Sequence, residues 1–257
     1  APAAAPAASG SKTLTFGCQM YSDGLINPAS QTNCAWNCMR FGVGEALFKF
    51  NDNMEIAEAF VKHIVKTVLE KCPDEIAFFD QRVQPGLKAQ LEEILGQEFE
   101  RCSYTRALEI LAKADRKWEF PINWGDDLQT EHERYLTEEY FKKPVFVIDW
   151  PASLKPFYMK VNDDGKTVRA MDCLGPRFGE IIGGSQREED LAVMDRRIEE
   201  LGMKKEEYWW YRDLRRFGTV PHSGFGLGFE RIILFVTGIA NIRDVIPFPR
   251  TPKNANF

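Results

Sequence analysis

The sequence predicts one α+β domain, in which an antiparallel sheet is flanked by helices. Three observations lead to this prediction. Apolar residues recur at helical spacing, mainly in the first half of the chain, and short β-rich runs follow in the second half. At 257 residues with 44% apolar content, the chain is also long enough for one well-buried core and short for two.

Helical stripes of apolar residues cover four segments: 51–72, 87–95, 103–111 and 191–201. Asn and Asp residues suited to capping stand at the start of the first segment. Pro85 stands where a first helical turn tolerates proline, and Ser103 can start the third helix. Gly202 can end the last helix, because glycine adopts the left-handed conformation without a steric penalty.

Runs rich in β-branched and aromatic residues predict strands over 145–149, 157–161, 167–174 and 179–182. The second and third runs are joined by the sequence NDDG at 162–165, which is typical of a tight turn. These strands are therefore expected to be antiparallel.

Composition excludes some function classes. The formal net charge is -5, with both signs interspersed, so composition indicates no basic face that could hold a polyanion, and nucleic-acid binding gains no support. The longest apolar run near the C-terminus, 232–236, is far shorter than the about 20 residues of a membrane span, and no span is predicted. The six cysteines include no CxxC pair of a zinc site, which favours free thiols in a reducing compartment.

Residues 1–10, APAAAPAASG, are typical of a tether without a core. A mature protein from which an organelle transit peptide has been removed can start this way, and so can a remnant of cloning. This favours a plastid or a mitochondrion as the compartment, with the cytoplasm as the alternative.

The segment 222–231, HSGFGLGFER, is the first candidate site. Gly224, Gly226 and Gly228 let a strand backbone approach a flat ligand closely, and Arg231 falls where the strand gives way to a helix. An arginine there can bind phosphate oxygens with two N–H groups. The alternative is a glycine-kinked strand with a surface ion pair, which an isolated motif of this kind fits equally well. His222 is only a supporting residue, because a single histidine in a turn is more often structural.

The segment 172–187 is the second candidate site. Asp172 and Glu180 are carboxylates at strand positions beside small residues, and Arg187 follows. Such carboxylates suit magnesium and its nucleotide phosphates, because hard cations prefer oxygen ligands. On a regular strand, Glu180 and Ile182 would face one way. The alternative for this segment alone is a glycine-rich hairpin whose charges are merely solvated.

Longer stretches resemble a known family. GEIIGGSQRE, EEYWWYRDLRRFGTVPHSGFGLGFER and NIRDVIPFPRTPKNANF together are similar to bacterial asparaginyl-tRNA synthetases, class II synthetases of the aspartyl/asparaginyl subgroup. The resemblance extends back through PFYMK, EHERYLTEEYF and DNMEIAEAFVKHIVKTVLEKC, and it covers 51–257. It implies the antiparallel sheet flanked by helices of class II synthetases, here truncated.

The resemblance also implies roles for four residues. Glu180 matches the glutamate that helps to hold ATP and its magnesium, and Asp172 resembles an acidic partner of that glutamate. Arg187 matches the arginine that reads the side-chain end of the amino acid, and Arg231 matches the motif-3 arginine that grips the ATP γ-phosphate. The implied cofactor is Mg²⁺ bound with ATP, held by Glu180 and Asp172, and no catalytic residue is assigned with certainty.

The sequence departs from the family before residue 51. The family has a motif-2 arginine and glutamate just upstream of the helix that begins near Asn51, but this stretch reads PASQTNCAWNCMRFGVGEALFKF. Arg40, the one arginine before that helix, does not stand at the motif-2 position. The motif-1 helix and the OB-fold anticodon domain are not found either. We therefore expect an extension unlike the family at 1–50, a catalytic-domain remnant at 51–257, and no activity from the chain alone.

Three hypotheses of function follow. The first is a non-catalytic scaffold that binds protein partners of a larger complex through residues 1–50, which we expect to be extended with little regular structure. The second is an asparagine-tRNA ligase present as a partial chain. The third is a sensor that binds asparagine or a nucleotide without turnover. The replaced N-terminus favours the scaffold, and the retained Glu180, Arg187 and Arg231 favour the ligase.

Overall fold

The computed structural model describes residues 44–46 and 49–253. Almost all of the predicted extension at 1–50, including Arg40, lies outside the described residues. The predictions that this segment is extended and binds partner proteins therefore stay predictions. Within it, Gly44–Ala46 forms a short strand that joins the sheet.

The described part of the chain contains helices and strands in alternation. The helices are α1 (Phe50–Lys71), α2 (Pro73–Arg82), α3 (Leu87–Gly96), α4 (Tyr104–Ala112), α5 (Thr130–Arg134), α6 (Leu191–Glu200), α7 (Trp209–Arg216) and α8 (Phe229–Thr237). The strands are β1 (Gly44–Ala46), β2 (Glu100–Ser103), β3 (Val145–Pro151), β4 (Thr167–Gly175), β5 (Gly179–Gln186) and β6 (Ser223–Leu227). None of the described helices is both long and apolar enough to cross a membrane.

The strands form one six-stranded sheet in the order β1-β6-β5-β4-β3-β2. Neighbouring strands are antiparallel, apart from β2 and β3, which run parallel at one edge. Parallel neighbours need a long crossover connection, and the segment containing α4 and α5 provides it. The predicted α+β fold with a mainly antiparallel sheet is confirmed.

Apolar packing covers both faces of the sheet. On one face, α1, α2, α3 and α8 pack against the strands, and the buried side chains include Met54, Val61, Ile76, Leu91, Phe146, Met171, Cys173, Ile182 and Phe235. On the other face, α4 packs against β2, β3 and β4, and the buried side chains include Tyr104, Leu111, Val145, Val147, Val168, Ala170 and Leu174. The alternation of Val145, Phe146 and Val147 between the two cores is the two-residue period of a strand.

The four predicted helices are confirmed as α1, α3, α4 and α6. Their start and stop signals act as expected: the Ser103 hydroxyl accepts a hydrogen bond from the Arg106 N–H at 3.3 Å, and Gly202 has a φ of 68°. Four elements were not predicted from the sequence: helices α2 and α5 and strands β1 and β2.

The predicted strand at 157–161 is wrong. This segment makes only isolated bridges, between Met159 and Arg187 and between Val161 and Val168. Its backbone N–H groups have scattered acceptors, because Lys160 donates to the carbonyl of Gln186 at 2.9 Å while Val161 donates to a side-chain carboxylate. A continuous ladder to β4 therefore does not form, although the turn at 162–165 does.

A β-bulge interrupts β5 beside its partner β4. Cys173 pairs with Ile182, but the next residue, Leu174, pairs with Glu180, so Ile181 is an extra residue. Ile181 and Ile182 consequently both enter the core under α1 and α8. The expectation that Glu180 and Ile182 face the same way is wrong, because the bulge changes the alternation between them.

Candidate functional site

Three glycines lie on one face of the sheet where β5 and β6 pair. Gly183 pairs with Gly226, and Ser185 pairs with Gly224. Side chains alternate along a strand, so these four residues face the same way, and Asp172, the β4 partner of Gly183, shares that face. We call Gly183, Gly224 and Gly226 the glycine floor. Without side chains there, a flat ligand can approach the backbone closely.

The strand directions give the glycine floor two chemically different ends. Because β6 is antiparallel to β5, the start of α8 lies beside the start of β5. The Gly228 N–H donates to the carbonyl of Ile181 at 3.2 Å and holds this junction together. Arg231, in the first turn of α8, is therefore beside Glu180, whereas Arg187 follows the opposite end of β5.

Gly228 makes room for the side chain of Arg231. A Cβ added at Gly228 would lie 3.3 Å from both Cγ and Cδ of Arg231, so the arginine folds back over the glycine. The Arg231 residue is exposed. An exposed guanidinium at this position can bind phosphate oxygens.

Glu133, on α5, reaches the same end of the floor. Its carboxylate occupies the space that a Cβ would need at Gly179, the residue before Glu180. Burial raises the pKa of Glu133 to about 7; the Glu180 carboxylate acts in the same direction, and the Arg231 guanidinium opposes it. Glu133, Glu180 and Arg231 are therefore electrostatic neighbours.

Asp172 lies in the middle of the site, buried and in contact on two sides. Its Oδ2 is 2.5 Å from Nζ of Lys155. A Cβ added at Gly183 would lie 3.6 Å from its Oδ1 and 2.6 Å from Oε1 of Glu180. Burial raises the pKa of Asp172 to about 6, Lys155 opposes that rise, and Glu180 adds to it. The two carboxylates therefore converge on the space above Gly183.

The carboxylates of Asp172 and Glu180 fit a magnesium ion that arrives with a nucleotide. Two convergent carboxylate oxygens are suitable ligands for Mg²⁺, which usually takes one or two from the protein and completes its shell with phosphates and water. Within 49–253, no three His, Cys, Asp or Glu side chains form a self-sufficient metal site. The phosphates would thus be required for the ion to bind well.

Arg187 is held at the other end of the floor. Its N–H donates to the carbonyl of His222 at 2.9 Å, and its guanidinium donates to the Ser185 hydroxyl. The guanidinium carbon also lies 5.2 Å from the ring centroid of Tyr158. Nδ1 of His222 is 2.7 Å from the carbonyl of Val220, so this histidine supports the loop beside Arg187.

The structure thus places the sequence-predicted residues along one face of the sheet. Glu180 and Arg231 lie at one end, Asp172 lies opposite Gly183 in between, and Arg187 follows Glu180 by seven residues, a span of roughly 20 Å between α-carbons. That length suits an extended ligand with an anionic end and a polar end. The individual roles of these residues stay predictions. Lys155 and Glu133 were not predicted from the sequence as site residues, although Glu133 is part of the family-like stretch EHERYLTEEYF.

Comparison with known proteins identifies the family. The model of the family "tRNA synthetases class II (D, K and N)" matches residues 43–252. The chain is 56% identical over 241 residues to the asparagine-tRNA ligase of Nostoc sp., covering 93% of this chain and 52% of that protein. It is 52% identical over 242 residues to the asparagine-tRNA ligase of Histophilus somni, again covering 93% and 52%. These matches extend further towards the N-terminus than 51–257, the range over which the sequence motifs resemble the family.

Solved structures give the same result. The asparaginyl-tRNA synthetase of Pyrococcus horikoshii superimposes with a TM-score of 0.72 at 42% identity, covering 80% of this chain and 47% of that one. Its complex with asparaginyl-adenylate gives a TM-score of 0.71 at 42% identity, covering 80% and 45%. The chain spans about half the length of the curated relatives it matches. The chain belongs to the class II tRNA synthetases (D, K and N).

Proposed function

We propose that this chain carries the asparagine- and ATP-binding part of an asparagine-tRNA ligase. The observation that supports this most directly is the glycine floor, with Glu180 and Arg231 at one end, Asp172 beside its middle and Arg187 at the other end. The names of the relatives favour this hypothesis over the scaffold hypothesis.

In the proposed reaction, a carboxylate oxygen of asparagine forms a bond to the α-phosphorus of ATP. The bond from that phosphorus to the bridging oxygen breaks, and pyrophosphate leaves with the electron pair. Arg231 would bind the phosphate end, and Arg187 the side-chain amide. Magnesium, held by Glu180 and Asp172, would neutralise phosphate charge.

The floor would hold the two substrates in line, so that the reaction requires little further loss of translational and rotational entropy.

The second half of the proposed function is transfer of asparagine to tRNA. Composition did not predict tRNA binding, and its support is the tRNA named in the relatives' activity.

The test is asparagine-dependent exchange of labelled pyrophosphate into ATP by the purified chain, with aspartate as the competing amino acid. Exchange with asparagine and not with aspartate would support the ligase. Binding of asparagine and ATP without exchange would favour the sensor. Binding of neither would favour the scaffold.

A pair of variants links the activity to the site. Glu180→Gln should raise the magnesium concentration for half-maximal exchange by about 10-fold or more, as loss of a charged ligand weakens a metal site. Glu92→Gln, which alters an exposed glutamate 3.9 Å from Lys88 on α3, should leave it unchanged.

An organellar location and protein partners bound through residues 1–50 are further parts of the proposal. The Ala/Pro-rich start supports the first, and the apolar residues within 14–48 support the second. Fractionation of cells and co-purification with and without residues 1–43 would test them. That boundary keeps β1 intact, because β1 begins at Gly44.

A further inference from the structure

Lys155 places a cation beside the glycine floor that neither the motifs nor the comparisons assign to the site. Its Nζ is 2.5 Å from Oδ2 of Asp172 and 4.0 Å from the ring centroid of Trp150. Only 17% of its side chain is exposed, and 7% of that of Asp172. Among the described residues, the acceptor of a hydrogen bond from this ammonium group is Asp172 alone. The group can donate two more hydrogen bonds.

The register of the sheet places this cation between the two ends of the site. Asp172 pairs with Gly183, which lies between Glu180 and Arg187 along β5. The Oδ1 of Asp172 faces the floor while its Oδ2 holds Lys155. The ammonium group therefore lies beside the middle of the floor.

The middle of the floor is where the reacting atoms must lie. If the phosphates bind at the Glu180 end and the asparagine amide binds at Arg187, the bond forms between those two ends. The carboxylate and the α-phosphate are both negative before they react, so their approach requires a cation at that point. Arg231, at the phosphate end, is too far along the floor to serve both places.

We propose that Lys155 binds the anionic junction of the reaction, where the asparagine carboxylate meets the α-phosphate of ATP. This inference rests on the proposed function and adds a residue to it. Asp172 would then have two tasks, since one oxygen positions Lys155 and the other faces the metal-binding space above Gly183.

A purely structural ion pair is the competing explanation. Pairing two charges in a buried place is often no more stabilising than an apolar pair of similar volume, so stability alone gives little reason for this pair. The chain also contains a comparable pair away from the floor, Lys143 and Glu100, with 2.9 Å between Nζ and Oε2 and 27% and 25% exposure. Lys143 therefore provides a matched control.

The experiment compares ligands that differ by one anionic group, by calorimetry on the whole chain. One pair is asparagine and asparaginol, which lacks the carboxylate, and the other is AMP and adenosine. Lys155→Met should weaken binding of the charged member of at least one pair by about 10- to 100-fold, and leave its neutral partner within about 2-fold. Lys155→Arg should restore most of the loss, and Lys143→Met should change neither pair.

A second variant and a set of contradicting outcomes complete the experiment. If Lys155→Met does not fold because Asp172 is left as an unpaired buried charge, the double variant Lys155→Met with Asp172→Asn removes both charges and gives the same ligand comparison. Equal weakening of charged and neutral ligands, or no weakening, would overturn the inference while the proposed function stands. If the unaltered chain binds none of the four ligands, both fail together.

Discussion

Asp172 and Gly183 are paired directly across β4 and β5, and the space above Gly183 is bounded by the carboxylates of Asp172 and Glu180. A single methyl group would enter that space. The neighbouring Gly184 faces the other side of the sheet, where a Cβ would lie 2.8 Å from Cε of Met171 and from Cβ of Phe225. Gly183 thus leaves space at the candidate site, whereas Gly184 leaves space for packing on the opposite face.

Gly183→Ala should weaken binding of magnesium-ATP by about 10-fold or more, because the methyl group would lie 2.6 Å from Oε1 of Glu180. The free energy of unfolding should change by less than about 1 kcal/mol, since flexible side-chain ends can move away. Gly184→Ala is the matched control and should destabilise the fold by about 1–3 kcal/mol through overpacking. Calorimetry and urea unfolding measure the two effects, and unaltered nucleotide affinity in Gly183→Ala would contradict the assignment.

Glu133→Gln should change how stability depends on pH. The folded-state pKa of Glu133 is raised from 4.5 to about 7, so between these values the folded chain holds a proton that the unfolded chain has lost. Stability therefore falls as pH rises through this window, by up to about 3 kcal/mol. Asp172, whose pKa is raised to about 6, contributes in the same direction.

Urea unfolding at about pH 5 and about pH 8 measures this dependence. Glu133→Gln should be more stable than the parent near pH 8, and its dependence on pH should be shallower. Glu139→Gln, at a glutamate whose side chain is 58% exposed and paired with Arg116, should keep the parental dependence. A parental slope in Glu133→Gln would contradict the prediction.

Arg231→Met should weaken binding of ATP much more than binding of AMP. The arginine lies beside Glu180 at the phosphate end, and loss of a charge-assisted contact to the γ-phosphate costs about 10- to 100-fold in affinity. Arg216→Met, at an arginine that is 68% exposed on α7, should affect neither nucleotide. Equal losses for ATP and AMP would place Arg231 elsewhere along the nucleotide.

Glu188→Ala should destabilise the fold strongly. This buried carboxylate, next to Arg187, accepts hydrogen bonds at 3.1 Å from Nζ of Lys160 and from the N–H of Val161. Removing one partner of a buried pair costs about 3–5 kcal/mol. Glu189→Ala is the control, because Glu189 also contacts Lys160, at 2.9 Å, but is 26% exposed and should cost less than about 1 kcal/mol. Both free energies of unfolding are measured in urea. Similar losses in the two variants would contradict the prediction that the buried carboxylate matters more.

The sequence predicted those parts of the fold and site that depend on local pattern. The helices α1, α3, α4 and α6 have apolar stripes and end signals, and Asp172, Glu180, Arg187 and Arg231 stand in family-like motifs. Lys155 stands in no motif, and its contact with Asp172 forms only when β3 and β4 pair. The strand predicted at 157–161 failed for a related reason, because distant groups accept its hydrogen bonds: the Val161 N–H donates to the Glu188 carboxylate and the Lys160 N–H to the carbonyl of Gln186.

Ile181 gives the site a dependence on backbone geometry as well as on chemistry. If the same residues formed a regular strand without the bulge, the carboxylate of Glu180 would point with Ile182 into the apolar core, where an unpaired charge is very costly. A change that straightens β5 while keeping Ile181 would therefore abolish the nucleotide end without altering any charged side chain. Deletion of Ile181 would instead leave Glu180 next to Ile182 and on the opposite face, so the direction of Glu180 depends on the bulge and not on the number of residues alone. In this strand, the local pairing with β4 is consequently as much a marker of a competent site as the identity of the charged residues.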